Sequence, residues 1–406
     1  MKIAIVNLTT LTVVSPSTAV PFVGLVPKGR PHKESEINIV ELAEALSHLG
    51  NDVTVYVSDA FLPEIPMKPK ANLHVEYLPT LFKWIFSPGM LPFTPALFDR
   101  IREGGYDIVM SSNLFDWGAI VSTLASIGGK SRVVIWQEVD SYSSSATARL
   151  AQYLFYHTFG RLLGGLVDGF VSRTTVAEAF LINMGISHSK LLGVIPTGVN
   201  TDVYRPLGNN ETSIRKRLNI SDGSQVVTCV STLYQDRGLD LLITAMREVV
   251  DEIPEAMLII RGRGPLKAKL NALINDLGLE QNISILGDYF SREEMCALLN
   301  ISEVALVIFR FYGFFPFAAL ESFACGKPVI SASERTVRGL KDIIKDGTTG
   351  YLVGYDAKDI SRKLTFLLKN PTLCREMGRN ALELCRATLD MRIVAKRFDD
   401  LFRSRL

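Results

Sequence analysis

The chain is 406 residues long, 47% apolar and 21% charged, with a formal net charge of +2. That length is too great for one ordinary hydrophobic core, so two domains with substantial cores are expected. The near-neutral balance gives no electrostatic case for nucleic acid, and the lack of any run of about 18 apolar residues argues against a membrane span.

Met1-Lys2-Ile3-Ala4-Ile5-Val6 reads as a first strand rather than a leader peptide, because its apolar run is too short. Residues 34–49 carry Ile37, Val40, Leu42, Ala45 and Leu49 at helical spacing, and Gly50 stops the pattern. Val53–Val57, Asp107–Met110, Val133–Trp136 and Gly169–Val171 are short apolar runs followed by polar loops, as buried parallel strands should be. Residues 79–98 break the series. Four prolines there preclude a regular helix. Their dense aromatic and aliphatic residues fit either a long loop packed on the core or a hydrophobic acceptor or membrane-surface contact. Residues 150–167 read as a buried apolar helix, with Arg149 and Arg161 as its cations.

Pro196, Gly198 and Pro206 bracket a polar turn, and Gly208–Thr212 is a soluble connector, so residues 195–225 read as a domain junction. A second series begins at Val226 with Val226–Val230, Met257–Arg261, Ile283–Leu286, Val304–Ile308 and Val329–Ser331 as strands, and residues 372–406 are helical. The alternation predicts α/β architecture in two Rossmann-like domains, 1–200 and 201–385, with 386–406 as a terminal helix. In such sheets ligands bind beyond the carboxyl ends of the strands. Cys229, Cys296, Cys325, Cys374 and Cys385 are odd in number, without a C-x-x-C pair and in apolar or helical contexts. Reduced thiols of a cytoplasmic protein are expected, with no metal site.

The most informative segment runs from Gly313 to Val329. Gly313 and Pro316 mark a turn, Ala318–Ala324 are good helix formers, and Gly326 precedes a buried strand. Backbone N–H groups at such a helix start favour an anionic or hydroxyl-rich ligand. Glu321, the one acid in this apolar stretch, fits either a solvated helix face or a ligand-binding carboxylate.

This segment resembles the donor-sugar motif of retaining glycosyltransferases of family 4. Ile195–Pro206 is similar to that family's inter-domain signature, Leu258–Pro265 to its strand and glycine turn, and Asp346–Val353 to its late turn and strand. The resemblance implies the GT-B fold: two facing Rossmann-like domains, with a C-terminal helix returning to the first. It implies a nucleotide-sugar donor on the second domain and cations facing the diphosphate as it leaves. Within Val230–Gly238, Thr232 stands where the family has an Arg, and Arg237 takes the place of a Lys five residues on. Ser231, Thr232, Gly262 and Gly264 would line the donor. Gly313 replaces the first of two family glutamates, and the backbone of Phe314, Phe315 and Phe317 would hold sugar hydroxyls. Glu321 matches the second glutamate and would accept from the ribose hydroxyls.

In the first domain, Gln137 takes the position of a family His, with Glu138 the nearest ionisable group. The family's glycine-rich first loop corresponds to Val26–Lys33. There Lys28, Gly29 and Arg30 either face the diphosphate or form a solvated charge cluster. The resemblance thus implies catalytic roles for Arg237, Glu138 and Gln137. No Asp-x-Asp triplet, Walker A loop or G-x-S-x-G elbow is present. The expected activity is retaining transfer of a sugar to a hydroxyl acceptor, lipid-linked or polysaccharide, without metal or other cofactor. The protein would be cytoplasmic, with peripheral contact at the inner membrane face. Loss of the Arg, the first Glu and the His leaves two other readings open: a non-catalytic sugar-nucleotide binder and a sugar-nucleotide epimerase.

Overall fold

The computed structural model describes residues 1–8, 38–59, 72–81, 92–142, 146–208, 212–287, 290–310, 317–333 and 339–406. The chain divides into two compact units, Met1–Gly198 with Met391–Leu406, and Val199–Asp390.

In the first unit, β1 (Lys2–Val6), β2 (Asp52–Ser58), β3 (Leu73–Leu78), β4 (Ile108–Ser112), β5 (Arg132–Gln137), β6 (Gly169–Ser172) and β7 (Leu191–Val194) form a parallel sheet. Among the described residues its order is β3-β2-β1-β4-β5-β6-β7. Helices α1 (Asn38–His48), α2 (Ala96–Gly104), α3 (Trp117–Ser126), α4 (Ala146–His157), α5 (Phe159–Leu166) and α6 (Thr175–Asn183) complete this part of the chain. Strand side chains alternate between faces, and both faces are buried. Ile3 and Ile5 pack with Val40, Leu42 and Leu46 of α1, while Ala4 and Val6 pack with Leu97, Ala119 and Leu163 of α2, α3 and α5. That double burial explains the unbroken apolar runs of the sequence.

The second unit repeats the arrangement. Its strands are β8 (Gln225–Val230), β9 (Ala256–Arg261), β10 (Ile283–Leu286), β11 (Val304–Phe309), β12 (Val329–Ser333) and β13 (Gly350–Gly354). They are parallel and ordered β10-β9-β8-β11-β12-β13. The helices are α7 (Thr212–Arg217), α8 (Leu239–Glu252), α9 (Lys267–Asp276), α10 (Arg292–Asn300), α11 (Phe317–Ala324), α12 (Leu340–Ile343), α13 (Ala357–Lys369) and α14 (Pro371–Leu384). Val227, Leu258 and Leu306 face α8 and α13, and Val226, Ile259 and Ala305 face α10 and α11. A π-helical turn at Cys385–Leu389 follows, and α15 (Met391–Arg405) then buries Val394, Phe398 and Phe402 in the core of the first unit.

Several expectations need correction. The return to the first unit begins at Met391 rather than at 386, because Cys385 and Leu389 belong to the second unit's core. Residues 79–98 are not wholly loop: Leu81 pairs with Phe93, and α2 starts at Ala96 once the last proline, Pro95, is passed. A proline just before a helix is well tolerated, since its fixed φ suits the first turn. Positions 82–91 lie outside the described residues. The apolar stretch 150–167 is two helices, and one side of each is open to solvent rather than buried. Edge strands β3 and β7, which the sequence reading did not pick out, carry half-exposed residues.

Candidate functional site

In the second unit the strand order reverses between β8 and β11, because the chain proceeds outward through β9 and β10 on one side and β12 and β13 on the other. Loops leaving the carboxyl ends of two such strands diverge and open a crevice. Arg237 lies in the short 3₁₀ turn Gln235–Arg237 after β8. Its Nε donates to Thr232 Oγ1 at 3.1 Å, and its guanidinium lies 5.4 Å from the ring centre of Phe309, the last residue of β11. Arg310 N donates to Asp236 O at 2.8 Å, tying the loop after β11 to the loop after β8. Burial pushes the Arg237 pKa down, while Asp236, whose carboxylate lies 3.6 Å away, and Cys229 work the other way. Both carboxylate oxygens of Asp236 are buried and accept no hydrogen bond. Arg237 is thus a largely enclosed cation held in one orientation. A guanidinium keeps its charge in such a place.

Ser231 and Thr232 form the start of the same loop, and Thr232 is exposed. Gly262 and Gly264 sit behind it. A Cβ on Gly262 would lie 1.7 Å from Ser231 O, and one on Gly264 would lie 2.3 Å from Leu233 O. The loops are laced together by Ser231 N to Arg261 O at 3.0 Å and Leu233 N to Arg263 O at 2.8 Å. The close approach that demands glycine here is therefore made by the protein's own backbone.

Phe317 begins α11 and Glu321 lies one turn further on, half-buried. The Glu321 carboxylate accepts from the hydroxyl of Tyr204, and its charge, after burial, holds the Tyr204 pKa far above the usual phenol range. Arg292 of α10 stands 5.6 Å from the Tyr204 ring centre. Tyr204 comes from the junction segment Ile195–Pro206, so that segment and the donor-like motif are joined through one hydroxyl. Below the helix, Cys325 Sγ lies 3.9 Å from Cys296 Sγ. All five cysteines are buried free thiols.

In the first unit Gln137, the last residue of β5, and Glu138 after it are both committed to partners within the protein. Gln137 is 0% exposed. Its Oε1 accepts from Leu114 N at 3.0 Å and its Nε2 donates to Val139 O at 2.8 Å. A side chain so enclosed and committed fixes loops and has no surface to offer a substrate. The Glu138 side chain is also enclosed, 6% exposed. Its Oε2 lies 2.8 Å from Nη1 of Arg173, which follows β6, and the Arg173 guanidinium covers the Trp136 ring at 4.1 Å. Glu138 Oε1 and Arg173 Nε have no hydrogen-bond partner. Burial lowers the Arg173 pKa and the Glu138 charge opposes it. Nearby, Asp116 caps α3 by accepting from Gly118 N at 2.8 Å, and burial pushes its carboxyl up to about 7. Asn113, in left-handed conformation (φ 49°), accepts from the backbone of Glu138 and Val139.

Gly313, Phe314 and Phe315, and the loop with Lys28, Gly29 and Arg30, lie outside the described residues. Sequence reasoning missed Arg173, Asp116, Tyr204 and Arg292. Arg173 had a signal, since it follows directly on an apolar run. Tyr204 lay inside a recognised segment. Among the described residues no three His, Cys, Asp or Glu side chains cluster as metal ligands do.

A family model described as Glycosyltransferase Family 4 matches residues 35–203, and one described as Glycosyl transferases group 1 matches residues 210–384. The chain belongs to glycosyltransferase family 4. The division between the two matches falls beside the boundary at Val199. A relative of this family 4 chain is the GDP-mannose-dependent α-(1-6)-phosphatidylinositol monomannoside mannosyltransferase of Mycolicibacterium smegmatis, 30% identical over 52% of this chain and 54% of that protein. The chain spans about half the length of the first curated relatives it matches. The D-inositol 3-phosphate glycosyltransferase of Streptomyces bingchenggensis is 25% identical over 85% of this chain and 79% of its own. HepE of Anabaena, solved in complex with UDP and glucose, superimposes with a TM-score of 0.71 at 16% identity over 100% of both chains. The fold is GT-B, two Rossmann-like parallel-sheet domains.

Proposed function

We propose that this chain is a retaining glycosyltransferase that moves a sugar from a nucleotide-diphosphate donor to a lipid-linked hydroxyl acceptor without a metal ion. The observation that carries the proposal is the placement of Arg237 at the strand-order reversal of the second unit, oriented by Thr232 and Phe309. As the glycosidic bond breaks, negative charge builds on the leaving diphosphate, and a fixed cation stabilises it more in the transition state than in the ground state. Glu321, steadied by Tyr204, offers acceptor oxygens to the two ribose hydroxyls. The leaving phosphate then serves as base toward the acceptor hydroxyl on the same face of the sugar, which retains the anomeric configuration. The lipid-linked acceptor is supported by the phosphatidylinositol monomannoside named for the mycobacterial relative, and a nucleotide donor by the GDP-mannose and UDP named for relatives and neighbours.

The test is nucleoside-diphosphate release across a panel of nucleotide sugars, with and without lipid-linked acceptors. Arg237→Ala should lower kcat by about 10²-fold or more. Glu321→Ala should weaken nucleotide binding by roughly tenfold. Chelator should leave the rate unchanged, and the product's anomeric proton coupling should match the donor's. Unchanged donor binding in both variants would sink the assignment, and an epimerised donor formed without acceptor would replace it with isomerase chemistry.

A further inference from the structure

The junction segment Ile195–Pro206 sets one side chain against the donor-like motif. Tyr204 is 5% exposed and packs in the same core as Leu320 and Phe323 of α11. Its backbone is clamped on both sides. Tyr204 N donates to Asn200 O at 3.0 Å. Beyond it, the buried Asn300 of α10 donates from Nδ2 to Arg205 O and accepts at Oδ1 from Leu207 N, both at 2.9 Å. Pro206, between them, has its φ fixed by its own ring. The Tyr204 ring is therefore mounted rigidly. Core packing asks only for that ring, and a phenylalanine ring would fill the same space. A buried hydroxyl is tolerated only where it is hydrogen-bonded, so its partners explain why it is there.

The hydroxyl lies between two charged groups from different helices. Arg292, the first residue of α10, donates to it, and the guanidinium stands 5.6 Å from the ring centre. Glu321 of α11 accepts from it. With a cation donating to the phenol oxygen, the phenol proton is directed to the carboxylate. Burial and the Glu321 charge keep that proton in place against the pull of Arg292. On α11, Leu320, Phe323 and Ala324 are buried, while Phe317, Ala318 and Glu321 are half-exposed, so Glu321 stands on the open face. A glutamate in that position loses rotamer freedom when a ligand fixes it. A hydrogen bond from a rigid phenol removes that freedom beforehand. The carboxylate offers about four lone-pair sites, which leaves room for two further donors.

We propose that Tyr204, oriented by Arg292, is a positioning residue that presets the Glu321 carboxylate for the two adjacent hydroxyls of a ribose, and so makes the site selective for ribonucleotides over deoxyribonucleotides. The inference rests on the nucleotide-diphosphate donor of the functional reading and assigns what prepares its ribose contact. A site built to hydrogen-bond hydroxyls rejects an analogue that lacks them, because its own polar groups are then left unpaired. Tyr204 strengthens that rejection by holding the carboxylate where only a diol satisfies it.

Calorimetric titration with UDP, GDP and ADP, each against its 2′,3′-dideoxy counterpart, tests the proposal. Wild type should prefer the ribose form of the nucleotide it binds by about tenfold or more. Tyr204→Phe deletes one oxygen and keeps the buried ring, so the melting temperature should hold. That variant should bind the ribose form about 3–10-fold more weakly. Its loss on the dideoxy form should stay below about twofold, whereas a loosened fold would weaken both forms alike. In a Glu321→Ala background, Tyr204→Phe should change ribonucleotide affinity by less than about twofold, because the carboxylate it prepares is gone. Wild-type binding without ribose preference, an equal loss on both sugar forms, a loss that persists without Glu321, or unchanged or tighter ribonucleotide binding by Tyr204→Phe would each overturn the proposal and leave the donor site standing. Failure of wild type to bind any of these nucleotides would overturn the functional reading and this proposal with it.

Discussion

Asp116 shows how a single side chain can be set by its place in the fold. Its carboxyl is enclosed at the head of α3, and burial raises its pKa to about 7 against one backbone hydrogen bond from Gly118. The folded chain therefore holds a proton that the unfolded chain has already released between about pH 4 and pH 7. This group's contribution to stability is greatest at the acid end of that window and is lost as pH rises through about 7. Asn at this position can keep the cap and carries no charge. We expect Asp116→Asn to be more stable than the wild type at pH 8, on the order of 1–3 kcal/mol, and the difference to shrink toward pH 4. Denaturant melts at both pH values check this, and a pH-independent difference would contradict it. Glu138 and Arg173 illustrate the opposite balance, a buried pair in which each charge compensates the other. Nothing in the local sequence of Gln137-Glu138 announces that partner, which arrives from the next strand 35 residues later.

At the scale of elements, the turn between β8 and its 3₁₀ segment and the turn after β9 form one layer. Gly262→Ala would drive a Cβ to 1.7 Å from Ser231 O, a backbone atom that cannot swing aside. We expect that substitution to cost about 3 kcal/mol or more and to impair donor binding together with folding, as read by thermal melts and nucleotide titration. Legibility in the sequence followed burial. Strands covered on both faces, such as Ile3–Val6 and Val304–Ile308, stood out as apolar runs and agree with the observed β1 and β11 to within a residue or two. The half-exposed edges β3 and β7 did not stand out. The α4–α5 region misled for a related reason: apolar composition tells that a surface avoids water, but not whether protein or another apolar phase covers it. In the site, Arg237 was singled out only by the family resemblance, as the residue in the place of its Lys. The partnership of Tyr204 with Glu321 was not legible, since it joins residues 117 positions apart.

Across the whole molecule, the chain leaves the first unit at Gly198 and comes back to it at Met391, so the first core is finished only by the last helix. Phe398 is fully buried, 5.1 Å from the Trp136 ring in an edge-on contact and 5.6 Å from Phe402. Phe398→Ala should destabilise the first unit by about 3–5 kcal/mol while leaving the Val199–Asp390 unit unaffected. Calorimetry combined with limited proteolysis should show early loss of the first unit's fragments alone, and equal loss from both units would contradict the assignment. The backing of Ser231–Leu233 by Gly262 and Gly264 also bears on any attempt to retarget this protein to another sugar. A residue inserted into either turn would break the lattice of amides shared by both, so changes of length must come in matched pairs. Randomising Ser231 and Thr232 instead would recolour the outward face of a rigid tile without moving the tile.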